Sequence, residues 1–433
     1  MATISNGQRT LLTVETTIDH LSPQQKRALL ERHLRERIHS SRLDLEAEAR
    51  LEIALGSRAV NLDEPPRAIF LSGTTGFVGA FTLKELLEKT SARIYALVRA
   101  KTADEGRERI LANLESYDLS MPDLNQRLIP IVGDLTKPEF GLTKDEFSSL
   151  AGQVEVVYHI GASVNLAAPY RELKPTNVDG TREIIRLAAS ERVKPLHYLS
   201  SYAIFDSVHS VDKTFSEVDE PTQSEGLSNG YAETKWVAEK MVRNCRLAGV
   251  PSCIYRVGWV VGHSETGAWN RSDFIPRLIK AFLETGNYCD LGNMTMTPVD
   301  YLAKSLVYLA QRKASIGSIF HLSNGKRYSS RQLFQWVQSC GYQLQEVALQ
   351  DWEKSIHRSA QEISLAPLLL FLQDAAGNMS KVSEWFSREP RMNADRSLKE
   401  LSASGVHCPD IDQRMMALYL AYFASKGYIR RPH

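Results

Sequence analysis

An α/β fold built on a doubly wound parallel sheet is predicted for this 433-residue chain by three features. Short apolar runs alternate with helical stretches through residues 65–300. A glycine-rich turn joins the first run to its helix. The runs that follow end in small or hydroxyl-bearing residues, at the carboxyl ends where an open parallel sheet receives its ligands.

The elements follow in chain order. Residues 1–64 read as an N-terminal helical or linker segment. A helix opens at Ser22-Pro23, a cap followed by proline at the first helical position, and carries Lys26, Arg27, Arg32, Arg35 and Arg37. A second helical stretch is expected near Asp44 to Leu55. The first strand, Ala68–Leu71, leads through Gly73-Thr74-Thr75-Gly76-Phe77-Val78-Gly79 into a helix with Phe81, Leu83, Leu86 and Leu87 apolar. Further strands are expected at Arg93–Val98, Leu128–Val132, Val154–His159, Leu196–Ser200 and Ser252–Arg256. From about residue 301 to 433 the chain reads as a smaller, mainly helical region with one strand at Ser318–Leu322. Its apolar run Leu365, Leu368, Leu369, Leu370 and Phe371, followed by Trp385 and Phe386, suits core packing, with some residues free to wall a substrate channel.

Composition narrows the classes. Hydrophobic content of 43%, charged content of 24% and a net charge of +1 suit a globular protein and give no reason to expect nucleic acid or an anionic membrane as partner. Cys245, Cys253, Cys289, Cys340 and Cys408 have neither metal-ligand nor disulfide-framework spacing, so no metal is expected and a reducing, cytoplasmic setting is. No signal peptide is evident at the start, and the longest apolar stretch contains Pro367 and is too short to span a bilayer.

The chemistry starts at the glycine turn. Its G-x-x-G-x-x-G spacing lets the backbone approach a pyrophosphate while the helix N-terminus offers unpaired N–H groups. In NAD-binding folds an acidic residue about 20 positions beyond the glycines accepts the ribose hydroxyls. Arg99 stands there instead, suited to a 2′-phosphate, so NADPH is the expected cofactor. Arg109, ten residues on, either turns back to that phosphate or is an ordinary surface charge. Asp134, with Leu135 beside it, can accept from the adenine amino group, and Gly161-Ala162-Ser163 lets backbone lie against the dinucleotide. Asn177 is either a catalytic residue or a cap and core-bonding one. Gly262-His263-Ser264 resembles a phosphopantetheine attachment serine but lies inside the α/β body and reads as a loop.

Ser200 and Ser201 end the fifth strand and are expected to face the cofactor. Tyr231 and Lys235, four apart on a helix, share one face. Tyrosine ionises near pH 10, and an adjacent ammonium would lower that value by favouring the phenolate. A serine hydroxyl nearby can hold a substrate oxygen as negative charge develops.

The ordered set GTTGFVG, ALVRA, GDLTKPEFGL, YHIGASVN, NVDGTREIIRLA, HYLSSYAIF, GYAETKWVAEK and YRVGWV resembles the thioester reductase family. These are extended short-chain dehydrogenases with a Rossmann domain, found at the ends of non-ribosomal peptide and polyketide assembly lines and in carboxylic acid reductases. The resemblance runs from about residue 45 to the C-terminus. It implies that Arg99 and Arg109 bind the 2′-phosphate, that Ser201, Tyr231 and Lys235 are catalytic, and that Tyr231, Lys235 and Val257 also line the cofactor. Ser201 stands where threonine is commoner, and Val257 where proline is frequent. The implied division is an NADP-binding domain over 65–300 and a substrate-binding region over 301–433. The implied reaction is NADPH-dependent release of an acyl or peptidyl thioester from a phosphopantetheinylated carrier protein as an aldehyde, and a second hydride would give an alcohol. No adenylation or carrier motif precedes residue 65, so the acyl donor is expected to be loaded elsewhere. The basic segment near Lys26 to Arg37 is either a solvated linker or a dock for an acidic carrier. Two rivals are a nucleotide-sugar enzyme of the same extended family and a non-catalytic NADP sensor. The helical C-terminal region speaks against the first, the intact Ser201, Tyr231 and Lys235 against the second.

Overall fold

A computed structural model describes residues 43–119, 121, 124–166, 168–207, 209–210, 213–359 and 389–432. The basic helix expected after Ser22 and the apolar run Leu365 to Phe371 with Trp385 and Phe386 lie outside the described residues. Two compact units divide the chain, Met1–Glu48 and Ala49–His433. In the first, the described part is one helical turn, Leu45–Glu48, where Asp44 accepts from the Ala47 N–H at 3.0 Å. The helix expected to reach Leu55 therefore stops early. Beyond it the chain runs non-helically, the Gly56 N–H donates to the Ala189 carbonyl at 2.8 Å, and Arg58–Ala59 pairs in parallel with Arg192–Val193.

The second unit is organised by seven strands: β1 (Ala68–Ser72), β2 (Arg93–Val98), β3 (Leu128–Val132), β4 (Val156–His159), β5 (Leu196–Ser201), β6 (Ser252–Val257) and β7 (Ile319–His321). They form one sheet in the order β7-β6-β5-β4-β1-β2-β3, with every pairing parallel. Each expected strand is present. Parallel strands must be covered on both faces, which explains why β1 and β6 are buried at every position. Pro130 within β3 costs the ladder little because β3 is an edge strand.

The helices that matter for the site are α1 (Phe77–Lys89), α2 (Ala103–Ser116), α3 (Lys144–Gln153), α4 (Gly180–Ala189), α5 (Gly230–Leu247), α6 (Phe274–Thr285) and α7 (Val299–Ala310). Several begin where side chains cap them. Thr102 accepts from the Glu105 N–H for α2, Thr143 and Glu146 form a reciprocal capping box for α3, and Asn229 accepts from the Ala232 N–H for α5. A core of Ile69, Leu71, Leu83, Leu86, Ile94, Tyr255, Leu302 and Leu306 joins the sheet to α1 and α7. A second core gathers α6 with Tyr419 and Phe423 of a late helix, Gln413–Ser425, and includes Phe77 and Phe81 of α1. Residues beyond 301 thus supply both a sheet strand and helices packed on the dinucleotide side.

The sheet order reverses between β1 and β4, and there the backbones come closest. Gly73 has φ +86°, and a Cβ on it would lie 2.7 Å from the Gly161 nitrogen. A Cβ on Gly79 would lie 1.9 Å from the Gly73 carbonyl oxygen, so the first turn of α1 is pressed onto the loop. No side chain can be added at either position without moving main chain.

Candidate active site

A cleft of about 760 Å3 opens along the carboxyl ends of the strands, within the size range of small-molecule sites. Its first half is walled by Gly73, Thr75, Gly76, Phe77, Val78 and Gly79, then Arg99, Asp134, Leu135, Gly161, Ala162 and Ser163. The N-cap of α1 is Gly76, which has no side chain to satisfy the first-turn N–H groups, leaving the helix terminus as an anion site. That opening and the glycine contacts below it fit a dinucleotide pyrophosphate. Arg99 follows β2 and faces the cleft.

Two sequence candidates sit differently. Thr74 is fully buried, and its hydroxyl reaches back to the Leu97 carbonyl at 3.4 Å, so the side chain holds the loop from beneath and does not line the cleft. Arg109, on α2, donates to the carbonyl of Arg99 and lies off the cleft wall. One turn later Asn113, which carries no sequence signal, donates to the Thr74 carbonyl at 3.0 Å and the Gly76 carbonyl at 3.1 Å. The outer face of α2 thus braces the glycine loop and the Arg99 backbone.

A buried chain of side chains secures the switch point. Thr181 donates to the Asn177 carbonyl at 2.6 Å, so its oxygen accepts from His159 Nε2–H at 2.9 Å. His159 Nδ1 then accepts from Ser72 Oγ at 2.8 Å, and Ser72 Oγ in turn accepts the Gly161 N–H at 3.2 Å. Burial, aided by the charge of Lys235, pushes His159 down to about 3, so the imidazole is neutral and its Nδ1 is free to accept. Asn177 lies in a π-helical turn, Pro175–Asp179, ahead of α4. Its amide brackets Ser163, with Oδ1 accepting from the N–H at 2.7 Å and Nδ2 donating to the carbonyl at 3.0 Å. Nδ2 also donates to Thr234 Oγ1 at 3.0 Å, tying the cofactor loop to α5 next to Tyr231. The core-bonding alternative describes Asn177.

Ser201, Tyr231, Lys235 and Val257 converge on the middle of the cleft. Ser201 lies close enough to Tyr231 for its hydroxyl to favour the phenolate, and its oxygen accepts the Ala203 N–H at 3.2 Å. Ser200 lines the cleft beside it, but its hydroxyl is taken by buried Glu239, to which it donates at 2.6 Å. Lys235 is 3% exposed, donates to the Leu199 carbonyl at 2.8 Å, and sits 4.3 Å from the centroid of the Tyr198 ring.

The ionisation of this group departs from the sequence expectation. Tyr231 is not lowered. Burial pushes it up to about 12, with the Ser201 hydrogen bond opposing. Lys235 is brought down to about 7 by burial, with the Glu239 carboxylate opposing. Sequence spacing places the two residues on one face but carries no account of their desolvation, which dominates here. At neutral pH the tyrosine is held as a proton donor beside an ammonium that titrates near physiological pH.

The second half of the cleft is not legible in the sequence as a site. Tyr202, Asp206, Gly258, Trp259, Trp269, Asp273, Phe274 and Glu389 line it. Both Glu389 carboxylate oxygens accept the Thr295 N–H, at 3.1 and 2.9 Å, and the Thr295 carbonyl in turn accepts from the Trp259 N–H at 2.9 Å. Burial, opposed by that hydrogen bond, holds Glu389 up at about 8. Gly262 to Ser264 is the structural loop expected, with Tyr419 donating to the Gly262 carbonyl and Ser264 to Asp300.

This fold and cleft define an NAD(P)-dependent reductase of the extended short-chain dehydrogenase type. The chain belongs to NAD-binding family 4, described as Male sterility protein, whose profile matches residues 71–306. It is 37% identical to a linear gramicidin synthase polypeptide of Brevibacillus parabrevis over 84% of this chain and 7% of that protein. It is 32% identical to the glycine betaine reductase ATRR of Emericella nidulans over 84% of this chain and 29% of that one. The chain therefore spans under a third of these relatives. Among solved structures, the terminal R domain from the myxalamid PKS-NRPS biosynthetic pathway superposes with a TM-score of 0.83 at 37% identity, covering 90% of this chain and 99% of that domain. Among the described residues no helix is long and apolar enough to cross a membrane.

The Glu389 position yields a pH prediction. Its folded value of about 8 lies above the ordinary 4.5, so its stabilising contribution is complete below pH 4.5 and is lost as pH rises through 8. Glu389→Gln stays neutral throughout and keeps an oxygen for the Thr295 N–H. Thermal melts of the two proteins should coincide near pH 5 and separate by pH 9, the variant melting higher by about 2 °C. Parallel melting curves across that range would place the Glu389 carboxyl in water.

Proposed function

We propose that this protein uses NADPH to release an acyl or peptidyl chain from a phosphopantetheinylated carrier protein as an aldehyde. The observation that carries the reading is the convergence of Ser201, Tyr231 and Lys235 beside a dinucleotide cradle within one cleft. In this reading the region over 65–300 supplies the NADP domain and 301–433 contributes the acyl-binding wall. The cytoplasm is the setting in which five unpaired cysteines and a carrier-bound substrate are compatible. Gly73 to Gly79 would hold the pyrophosphate, Arg99 the 2′-phosphate with Arg109 bracing it, and Asp134 with Leu135 the adenine. Gly161 to Ser163, Lys235 and Val257 would hold the nicotinamide riboside.

NADPH supplies the hydride that the thioester carbonyl carbon accepts. The protein's part is to manage the oxygen. Ser201 Oγ and the Tyr231 hydroxyl receive the carbonyl oxygen as charge develops on it, replacing solvent with fixed dipoles. Tyr231, kept protonated by burial, gives its proton to that oxygen and forms the hemithioacetal. Lys235 keeps positive charge near the phenolate left behind. Collapse of the hemithioacetal breaks the carbon–sulfur bond, the thiol leaves with a proton, and the aldehyde remains. A reduction needs an acid at this position, so a tyrosine raised to about 12 suits the reaction better than a phenolate would.

Two measurements test these roles. Arg99→Ala should raise the NADPH dissociation constant by about 10- to 100-fold, the loss of a charged hydrogen bond, while NADH binding changes little. Equal losses for both cofactors would remove the 2′-phosphate from Arg99. Tyr231→Phe should lower aldehyde formation from a phosphopantetheinyl thioester by ~10²–10⁴-fold with NADPH binding retained. Ordinary turnover by that variant would exclude Tyr231 as the acid.

A further inference from the structure

Behind the cleft, α5 carries a third residue in line with Tyr231 and Lys235. Glu239 lies four positions beyond Lys235, on the same stripe of the helix, and is fully buried. Its Oε2 accepts from Ser200 Oγ at 2.6 Å. Arg256 of β6, also fully buried, grips the same carboxylate. Nε donates to its two oxygens at 3.1 and 3.2 Å, and Nη2 to Oε1 at 2.6 Å. The rest of the guanidinium is satisfied by the Asp219 carbonyl at 3.0 Å, by His321 Nε2 of β7 at 3.2 Å, and by the Phe205 ring below it.

An ion pair with no solvent access is a costly way to fill space, and an apolar pair of similar volume often serves stability as well or better. The placement of this one suggests another use. Ser200 precedes Ser201, Arg256 precedes Val257, and Glu239 follows Lys235 by one helical turn. Ser200 thus lines the cleft itself, while the arginine is one step of backbone and the glutamate one turn of helix from a residue of the cleft.

We propose that Glu239 and Arg256 are positioning residues for the reduction: their ion pair sets the register of α5 against β5 and β6, and so brings Tyr231 and Lys235 to Ser201. The inference rests on the reductase reading above. The carboxylate has a second effect. The groups facing Lys235 are the Tyr198 ring and Leu199 carbonyl from β5, neutral His159 from β4, and Tyr231 and Glu239 from α5. Glu239 is the anion among them. It favours the Lys235 ammonium against the burial that disfavours it. Burial presses the Glu239 carboxyl upward too, but Arg256, Ser200 and Arg243, one turn further along α5 and 3.9 Å away, outweigh it and keep Glu239 ionised.

Three variants separate positioning from mere stability. Glu239→Gln keeps the shape and deletes the charge. Glu239→Leu with Arg256→Met deletes the pair and leaves no buried charge behind. Ser200→Ala removes one hydrogen bond and is expected to fold. Each is followed by melting temperature, by NADPH fluorescence titration from pH 6 to 9, and by kcat with octanoyl-coenzyme A. In wild type, NADPH affinity should fall as Lys235 loses its proton. In Glu239→Gln the midpoint of that fall should move down by about one pH unit. The double variant should recover the melting temperature while the midpoint shift and a roughly tenfold or greater loss in kcat persist. Ser200→Ala should lose about threefold to tenfold in kcat with NADPH affinity unchanged. A double variant that regains kcat along with its melting temperature would overturn the proposal. So would an unmoved midpoint in Glu239→Gln, or an unchanged kcat in Ser200→Ala. Failure of wild type to reduce octanoyl-coenzyme A counts against the reductase reading alone, because the titration midpoint reports on Glu239 without turnover.

Discussion

The contact between the Gly73 and Gly161 backbones, at the point where the sheet order reverses, governs the rest of the molecule. It brings the carboxyl ends of β1 and β4 together closely enough that a single added carbon would collide with main chain. The crevice that a doubly wound sheet leaves at its switch point lies directly above. Ser72, His159 and Thr181 hold the contact from below through a relay in which burial keeps the imidazole neutral. Asn177 then carries the same register across to α5 through Thr234. Cradle and acid are therefore parts of one hydrogen-bonded frame.

Desolvation, more than pairwise charge, sets the chemistry in that frame. Tyr231 rises and Lys235 falls for the same reason, removal of the charged form from water. The outcome is a proton donor and a titrating ammonium side by side, an arrangement suited to delivering hydride and proton to one carbonyl. Glu239 counters part of the burial cost at Lys235 without entering the cleft. The far half of the cleft differs in kind, with Trp259, Trp269 and Phe274 beside the carboxyls Asp206, Asp273 and Glu389.

Much of this is readable from residue order. Seven apolar runs form seven strands, including Leu128–Val132 despite Pro130, because an edge strand tolerates the missing N–H. The glycine loop, Arg99, Ser201, Tyr231 and Lys235 are legible because local geometry fixes them: a strand end, a helix start, a four-residue offset. What escapes depends on distant pieces meeting. Asn113 has no motif, and its role exists only because α2 passes over the glycine loop. Glu389 lies 94 positions from the Thr295 N–H it accepts. Ser200 and Ser201 both line the cleft as expected, but only the fold reveals that the Ser200 hydroxyl is taken by Glu239. The helix at Leu45–Glu48 is shorter than its sequence suggests because the following segment finds its hydrogen bonds against Ala189 and Val193 instead. Tyr231 is raised where spacing implies a lowered value, because spacing reveals a neighbouring lysine and conceals burial.

The central claim is that one cleft passes both a hydride and a proton to the carbonyl of a carrier-bound thioester. A direct measurement is single turnover of an acyl-loaded carrier protein with NADPH deuterated at the nicotinamide C4, the aldehyde being trapped as an oxime and examined by mass spectrometry. The account predicts that the trapped product carries deuterium at the former carbonyl carbon, with one NADPH oxidised for each thiol released. Free carboxylic acid with NADPH left intact, or an aldehyde without deuterium, would contradict it.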